Sequence, residues 1–403
     1  MVYDIAVIGA GAGGLMAAAA ALEKNPALKL VVLEKNREAG KKLCATGNGH
    51  CNFLNINADG CSFYSGDDEA DTDCFADDVL SHCSVADILL FLSNLGVTPS
   101  FEDEEGRLYP RSNQASSIVK ALLRGCEAAE FRFEFEVSSL TKLDQGFKIE
   151  DASGNIVYAD SVILAGGGKA GIQFGSDGRC YKFAEALGHT VIKPVPALVP
   201  LVSKTDLSDI AGVRCRAGVY LLVCDADCED IIAEDSGEVQ FNKDSISGIC
   251  TMNLSRFFRL DEGICFKLGV DLFPEYTDEE LESLLQHRSE LFDSKEMLLE
   301  SLIPDKLADH ILKNYSFENV KELGKICKFL KFELSGTKGW PDAQTTSGGV
   351  KLSEIEECTM ESKLVRNLFF CGEVADIDGL CGGYNLTWAF ASGYVAGHNA
   401  AER

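Results

Sequence analysis

Gly9, Gly11 and Gly14 stand at the spacing G-x-G-x-x-G, and Glu34 follows 20 residues after the last of them. Each type at this spacing has a use in holding a dinucleotide. The first glycine permits a tight turn, the second lets a pyrophosphate approach the backbone, and the third lets a helix pack closely on a strand. A helix that begins there offers free N–H groups and a positive dipole end to the phosphates. The Glu34 carboxylate can accept hydrogen bonds from both hydroxyls of an adenosine ribose. It also disfavours a 2′-phosphate, which argues against NADP in this pocket.

Further residues suit a flavin. Gly372 permits close backbone approach, and Glu373 or Asp376 can hydrogen-bond a ribityl chain. Gly382, Gly383, Tyr384 and Asn385 open the last helix, whose N–H groups can stabilise negative charge on a reduced isoalloxazine. His50, Cys51 and Tyr384 are the candidates to deliver or relay a proton. Arg107, Tyr109 and Arg111 suit an anionic substrate group as well as they suit a solvated loop. Trp388 and Phe390 fit the core better than a site. Cys224 and Cys228 sit among acids with no histidine nearby, so no metal is expected.

These residues need elements to position them. The apolar stretch Ile5, Ala6, Val7, Ile8 meets the glycines, an Ala-rich helix former follows, and KLVVLE at 29–34 returns as a buried strand. Strand, helix, strand at this spacing requires a parallel sheet. Helices are expected over 84–95 and 115–129, strands over 131–137, 146–151 and 155–158, and loops over 67–78 and 102–112. SVILA at 161–165 and NLFFC at 367–371 have buried-strand composition and run into glycines, and 386–401 reads as a small-residue helix. Between them lies a block of roughly 195–345, introduced from Pro194 by three prolines in seven residues. It carries β-type segments at 219–223, 231–233 and 264–272 and a helix over 278–292 with Thr277 as N-cap and Glu280 at capping-box spacing. Helical patterns continue through Lys331. Gly166, Gly168 and Gly171 repeat the glycine spacing, but no second strand with a terminal acid follows.

The chain has 403 residues and a formal charge of −26, with no Lys/Arg-rich block, which argues against a nucleic-acid footprint. Sixteen irregularly spaced cysteines read as free thiols in a reducing compartment. No apolar run reaches the ~20 residues that span a bilayer, and no signal peptide pattern is present, so a cytoplasmic protein without a membrane partner is expected.

Several stretches resemble the bacterial BaiN-like FAD-dependent oxidoreductases, a group that includes a 3-dehydro-bile acid reductase and aminoacetone oxidase-like proteins. They are KKLCATGNGHCN at 41–52, EEGRLYPRSNQAS at 104–116, ALGHTVIKPVPALVPL at 186–201, TTSGGV at 345–350, TMESK at 359–363 and CGEVADIDGLCGGYNLTWAFASGYVAG at 371–397. Two positions depart from the family pattern: His50 stands where arginine is usual, and Gly166 where threonine is usual.

The resemblance implies an α/β fold: a three-layer Rossmann-like FAD-binding domain with an inserted β-barrel-like domain and a small helical subdomain. The implied boundaries are 1–194 and 346–403 for the FAD-binding domain, 195–275 for the inserted β-rich domain, 276–335 for the helical subdomain, and 336–345 for a return strand. It places FAD against Gly9, Gly11, Ala12, Gly13, Gly14, Glu34, Lys35, Lys42, Thr46, Gly47, Asn48, Cys51, Asn52 and Val137. Ala165, Gly166, Gly167, Gly372, Glu373, Asp376, Gly383, Tyr384, Asn385 and Leu386 complete the set. The expected activity passes a hydride from transiently bound NADH or NADPH through FAD to a conjugated C=C of a steroid-like small molecule. An amine-type oxidase using oxygen and a non-enzymatic FAD redox sensor are the alternatives.

Overall fold

A computed structural model describes residues 2–67, 70–101, 105–224, 228–258 and 264–402. Residues 102–104 of the expected 102–112 loop, and those between Cys224 and Cys228, lie outside the described residues.

The chain forms two compact units, Met1–Val195 with Thr345–Arg403, and Pro196–Gln344. The first is built on a seven-stranded sheet. Val2–Ile8 lies between Leu30–Leu33 and Ile156–Leu164, parallel to both, and Glu130–Arg132 extends the Leu30–Leu33 side. Ile156–Leu164 is one continuous strand where two were expected. Its first half pairs antiparallel with Phe147–Asp151 and its second half parallel with Leu368–Phe370. Parallel strands buried on both faces need continuous apolar runs, and Leu30–Leu33 is buried throughout.

Two helices pack on each other through small residues. Ala12–Lys24 lies against Tyr384–Ala400, and a Cβ added at Gly393 or Gly397 would stand 2.6 Å from the Gly13 carbonyl oxygen or 2.1 Å from that of Ala17. Glycine at both positions lets the two backbones approach.

One expected loop is a helix. Within 67–78 the acids suggested a surface excursion, yet Thr72–His82 is helical, capped by the Asp71 side chain accepting from the Cys74 N–H. Phe75, Ala76, Val79 and Leu80 form its buried stripe, and the acids occupy the other face.

The second unit holds a closed barrel of six strands: Leu201–Ser203, Ser245–Ser247, Glu229–Phe241, Arg214–Cys224, Cys265–Asp271 and Leu330–Thr337. The return strand is therefore Leu330–Thr337, earlier than the 336–345 segment assigned to it, and helical structure stops at Lys328. The alternation of buried Leu330, Phe332 and Leu334 with exposed neighbours is the period of a strand with one buried face. Helices Asp278–Leu291, Asp305–Asn314 and Val320–Lys328 complete this unit, the first with the Thr277–Glu280 capping box. The α/β fold with a Rossmann-like domain, a barrel and helical parts is as the sequence led us to expect.

Candidate functional site

The glycine motif turns where the first strand ends. Gly9 adopts φ +107°, and a Cβ there would lie 2.5 Å from the Ala165 carbonyl oxygen. A Cβ on Gly14 would strike the Gly9 carbonyl at 2.0 Å, whereas one on Gly11 would meet nothing within 4 Å. Gly9 and Gly14 are thus required by packing, and Gly11 faces open space at the start of the helix Ala12–Lys24. Among the described residues no side chain caps that helix, so its first N–H groups remain available to a phosphate.

Glu34 is buried just past the second strand. Its Oε2 accepts from the Ala10 N–H at 2.8 Å, and its Oε1 from the Asn36 N–H at 2.8 Å and Nδ2 at 2.7 Å. The carboxylate is fixed beside the glycine turn. Lys35 pairs with Asp177 at 2.8 Å, Val137 is buried at the start of Val137–Lys142, and Ala165, Gly166 and Gly167 follow the central strand Ile156–Leu164.

Lys42 and Glu373, far apart in sequence, meet at 2.8 Å. The other Glu373 oxygen accepts from the Thr346 N–H at 2.7 Å, and Thr346 Oγ1 accepts from the N–H groups of Lys169 at 2.8 Å and Ala170 at 3.0 Å. Thr346 was not among the expected site residues. Its sequence signal is the TTSGGV stretch, singled out as a motif without a role. Asp376 is fully buried, and its carboxylate accepts from the Ser65 hydroxyl at 2.6 Å and the Gly66 N–H at 2.9 Å. That carboxylate is already engaged with the turn after Tyr64.

The loop from Thr46 to Asn52 is tightly wound: Gly47, Asn48 and Cys51 have φ of 55°, 54° and 61°. Thr46 Oγ1 donates to the Leu43 carbonyl at 2.7 Å. Among the described residues Asn52 Oδ1 is buried without a hydrogen-bond partner, an acceptor that a polar ligand edge would satisfy. Cys51 is buried, and burial pushes its thiol up to about 12, with the Thr46 hydrogen bond opposing. His50 is exposed, its Nδ1 3.2 Å from the Asn113 carbonyl.

The last helix starts at Gly383, φ +96°, again without a side-chain cap. A Cβ on Gly383 would stand 2.7 Å from both Asn52 Oδ1 and the Leu54 carbonyl, so the Thr46–Asn52 loop and the helix start converge. Asn385 holds the preceding turn, accepting from the Gly379 N–H and donating to the Gly379 carbonyl, both at 2.9 Å. Leu386 is partly buried against the core. Tyr384 is half-buried. Burial, then Asp59, raises its pKa, so the phenol stays protonated near neutral pH. Gly372 has φ +72°, its N–H bound by Ser392 Oγ and its carbonyl by Trp388 Nε1. That bond also accounts for Trp388 as a core residue.

Two uncapped helix starts, a glycine cradle with open space at Gly11, a fixed buried carboxylate and an unsatisfied acceptor fit an extended dinucleotide with a polar ring. Such a Rossmann-like cradle defines a class, the dinucleotide-binding oxidoreductases, and the second uncapped helix start with the Asn52 acceptor on its ring side fits FAD.

The chain belongs to the HI0933-like protein Rossmann domain family, which matches it over residues 3–399. It is 36% identical over 417 residues to the 3-dehydro-bile acid delta(4,6)-reductase of Clostridium scindens, covering 99% of both chains. It is 28% identical over 412 residues to the ribosomal RNA dihydrouridine synthase of Haemophilus influenzae, covering 96% of both. The 3-ketosteroid delta1-dehydrogenase of Sterolibacterium denitrificans shares the fold, with a TM-score of 0.51 at 12% identity, over 100% of this chain and 99% of that one. The resemblance stated from the sequence motifs holds over the whole chain. The second relative acts on RNA, so a charge of −26 does not by itself exclude nucleic acid. Among the described residues no helix is long and apolar enough to cross a membrane.

Proposed function

We propose that this oxidoreductase reduces a C=C bond conjugated to a carbonyl in a hydrophobic, steroid- or bile-acid-like small molecule, with NADH or NADPH as transient hydride donor. The 36% identity to the bile acid reductase, held over 99% of both chains, carries this reading. Bound FAD supplies hydride acceptance from the nicotinamide and hydride donation to the electron-poor carbon.

The chain's own residues bind, orient and supply protons. Gly11 and the N–H groups of Ala12 and Gly13 hold the pyrophosphate, Glu34 the ribose, and Lys42, kept in place by Glu373, adds positive charge to the phosphate side. Gly47, Asn48 and Asn52 would hold the ring, the Asn52 Oδ1 acceptor being the one open to a polar ligand edge. The N–H groups opening the helix Tyr384–Ala400, which no side chain caps among the described residues, would hold the electron-rich edge of the ring and stabilise negative charge there. Tyr384 gives its phenolic proton to the substrate. His50, in contact with solvent, restores protons to this region, and the buried Cys51 thiol shapes the loop.

A second reading, reduction of a uridine in ribosomal RNA, is favoured by the 28% relative. The chemistry is shared, because the uracil double bond is also conjugated to a carbonyl. The charge of −26 opposes it, since phosphate neutralisation needs basic clusters.

The FAD-loaded protein should be given NADH or NADPH with a 3-oxo-4,6-diene bile acid, and separately with an rRNA fragment. Gain of two hydrogens by the bile acid is expected. Gain by uridine alone would overturn the small-molecule reading.

A further inference from the structure

Cys224 and Cys265 are free thiols that occupy facing positions in the barrel. Strands Arg214–Cys224 and Cys265–Asp271 run antiparallel, and Cys224 stands directly opposite Cys265. Directly opposed residues of an antiparallel pair have Cα atoms about 4.5 or 5.5 Å apart and project their side chains to the same face. Both spacings lie inside the about 4.4–6.8 Å that a disulfide bridges.

The pair is asymmetric in a useful way. Cys265 is exposed, whereas Cys224 is 8% exposed. Burial raises the Cys224 pKa; Lys267 and Lys331 oppose this, while Glu229 and Cys265 add to it. Both lysines are anchored to Glu229, which pairs with Cys224 across the other neighbouring strand. An accessible thiol directly opposite a second, shielded one is the arrangement of an attacking and a resolving cysteine.

We propose that Cys224 and Cys265 are a modification site that takes up a reversible cross-strand disulfide on exposure to peroxide. The Cys265 thiolate attacks one peroxide oxygen, the O–O bond breaks, and a sulfenic acid and one water result. The Cys224 thiolate then attacks the Cys265 sulfur, an S–S bond forms, the S–O bond breaks, and the second water leaves. In sum the two thiols give two electrons and two protons to one peroxide, which becomes two waters. Thiol reductants reverse the reaction. The new bond closes a loop containing Glu229–Phe241, Ser245–Ser247 and Ile249–Leu254, and so restricts the unfolded chain.

Cys228 is the competing thiol. It is exposed and donates to Asp230 Oδ1 at 3.3 Å. The test treats the FAD-loaded full chain with a small excess of hydrogen peroxide, blocks remaining thiols with a maleimide, and maps cross-linked peptides by mass spectrometry. We expect a Cys224–Cys265 peptide that dithiothreitol abolishes, that survives Cys228→Ser and that disappears in Cys265→Ser. Peroxide should also raise Tm by about 4 °C or more in the parent and not in Cys265→Ser. Cross-linking of Cys228 to either cysteine in place of this pair, or over-oxidation of Cys265 while Cys224 still reacts with maleimide, would overturn the proposal. Cys265→Ser should keep the flavin spectrum and basal turnover, which separates this site from the reductase reading.

Discussion

Lys42 Nζ lies 2.8 Å from Glu373 Oε2, joining the short helix Lys41–Ala45 to the turn that follows the strand Leu368–Phe370. The pair is partly desolvated, with side chains 29% and 18% exposed, so its attraction is less screened than that of a surface pair. Glu373→Gln keeps a hydrogen-bond acceptor for Thr346 and loses the charge that orients Lys42. We expect the Kd for FAD to rise about tenfold, the scale of one charge-assisted hydrogen bond. Equilibrium dialysis of the apoprotein with FAD checks this, and an unchanged Kd would remove the pair from the cofactor account.

The contact between the first and last helices of the Rossmann-like unit rests on missing side chains. A methyl group at Gly397 would sit 2.1 Å from the Ala17 carbonyl oxygen, a backbone atom that cannot swing aside. Gly397→Ala should therefore cost about 1–3 kcal/mol, the usual penalty of overpacking, outweighing the fraction of a kcal/mol that alanine gains as a helix former. Thermal denaturation reads the difference. A variant melting at or above the parent would mean the helices stand further apart than described.

His189 predicts a pH dependence. Its ring is enclosed, with Nδ1 3.2 Å from Glu354 Oε2 and Nε2 2.8 Å from Ser362 Oγ. Burial lowers its pKa below 6.5, and Glu354 recovers part of that shift. The unfolded chain then binds the proton more readily than the folded one. The stabilisation is complete above pH 6.5 and is lost as pH falls through the lower folded value. Tm should drop between pH 7 and about pH 5, and His189→Gln should flatten that part of the profile. Equal slopes in parent and variant would assign the acid sensitivity to other groups.

The sequence made local features legible and left non-local ones hidden. Gly9, Gly11, Gly14 and Glu34 could be read because one strand–helix–strand unit contains them all, and Thr277 with Glu280 because a cap spans one turn. Barrel closure was invisible to patterning, since Leu201–Ser203 finds both its partners at distant positions, and it entered only through family resemblance. The helix Thr72–His82 was masked by acids on its exposed face. The engagement of Asp376 by Ser65 and Gly66, and of Glu373 by Thr346, depends on chain segments that only the folded sheet brings together.

The most direct measurement is anaerobic. The FAD-loaded protein is titrated with NADH or NADPH while the flavin absorbance is followed, and a conjugated steroid enone is then added. Bleaching by the nicotinamide and recovery in proportion to the enone is the expected result. Bleaching by amines alone, with recovery only on admitting oxygen and release of peroxide, would contradict the account and make the protein an oxidase.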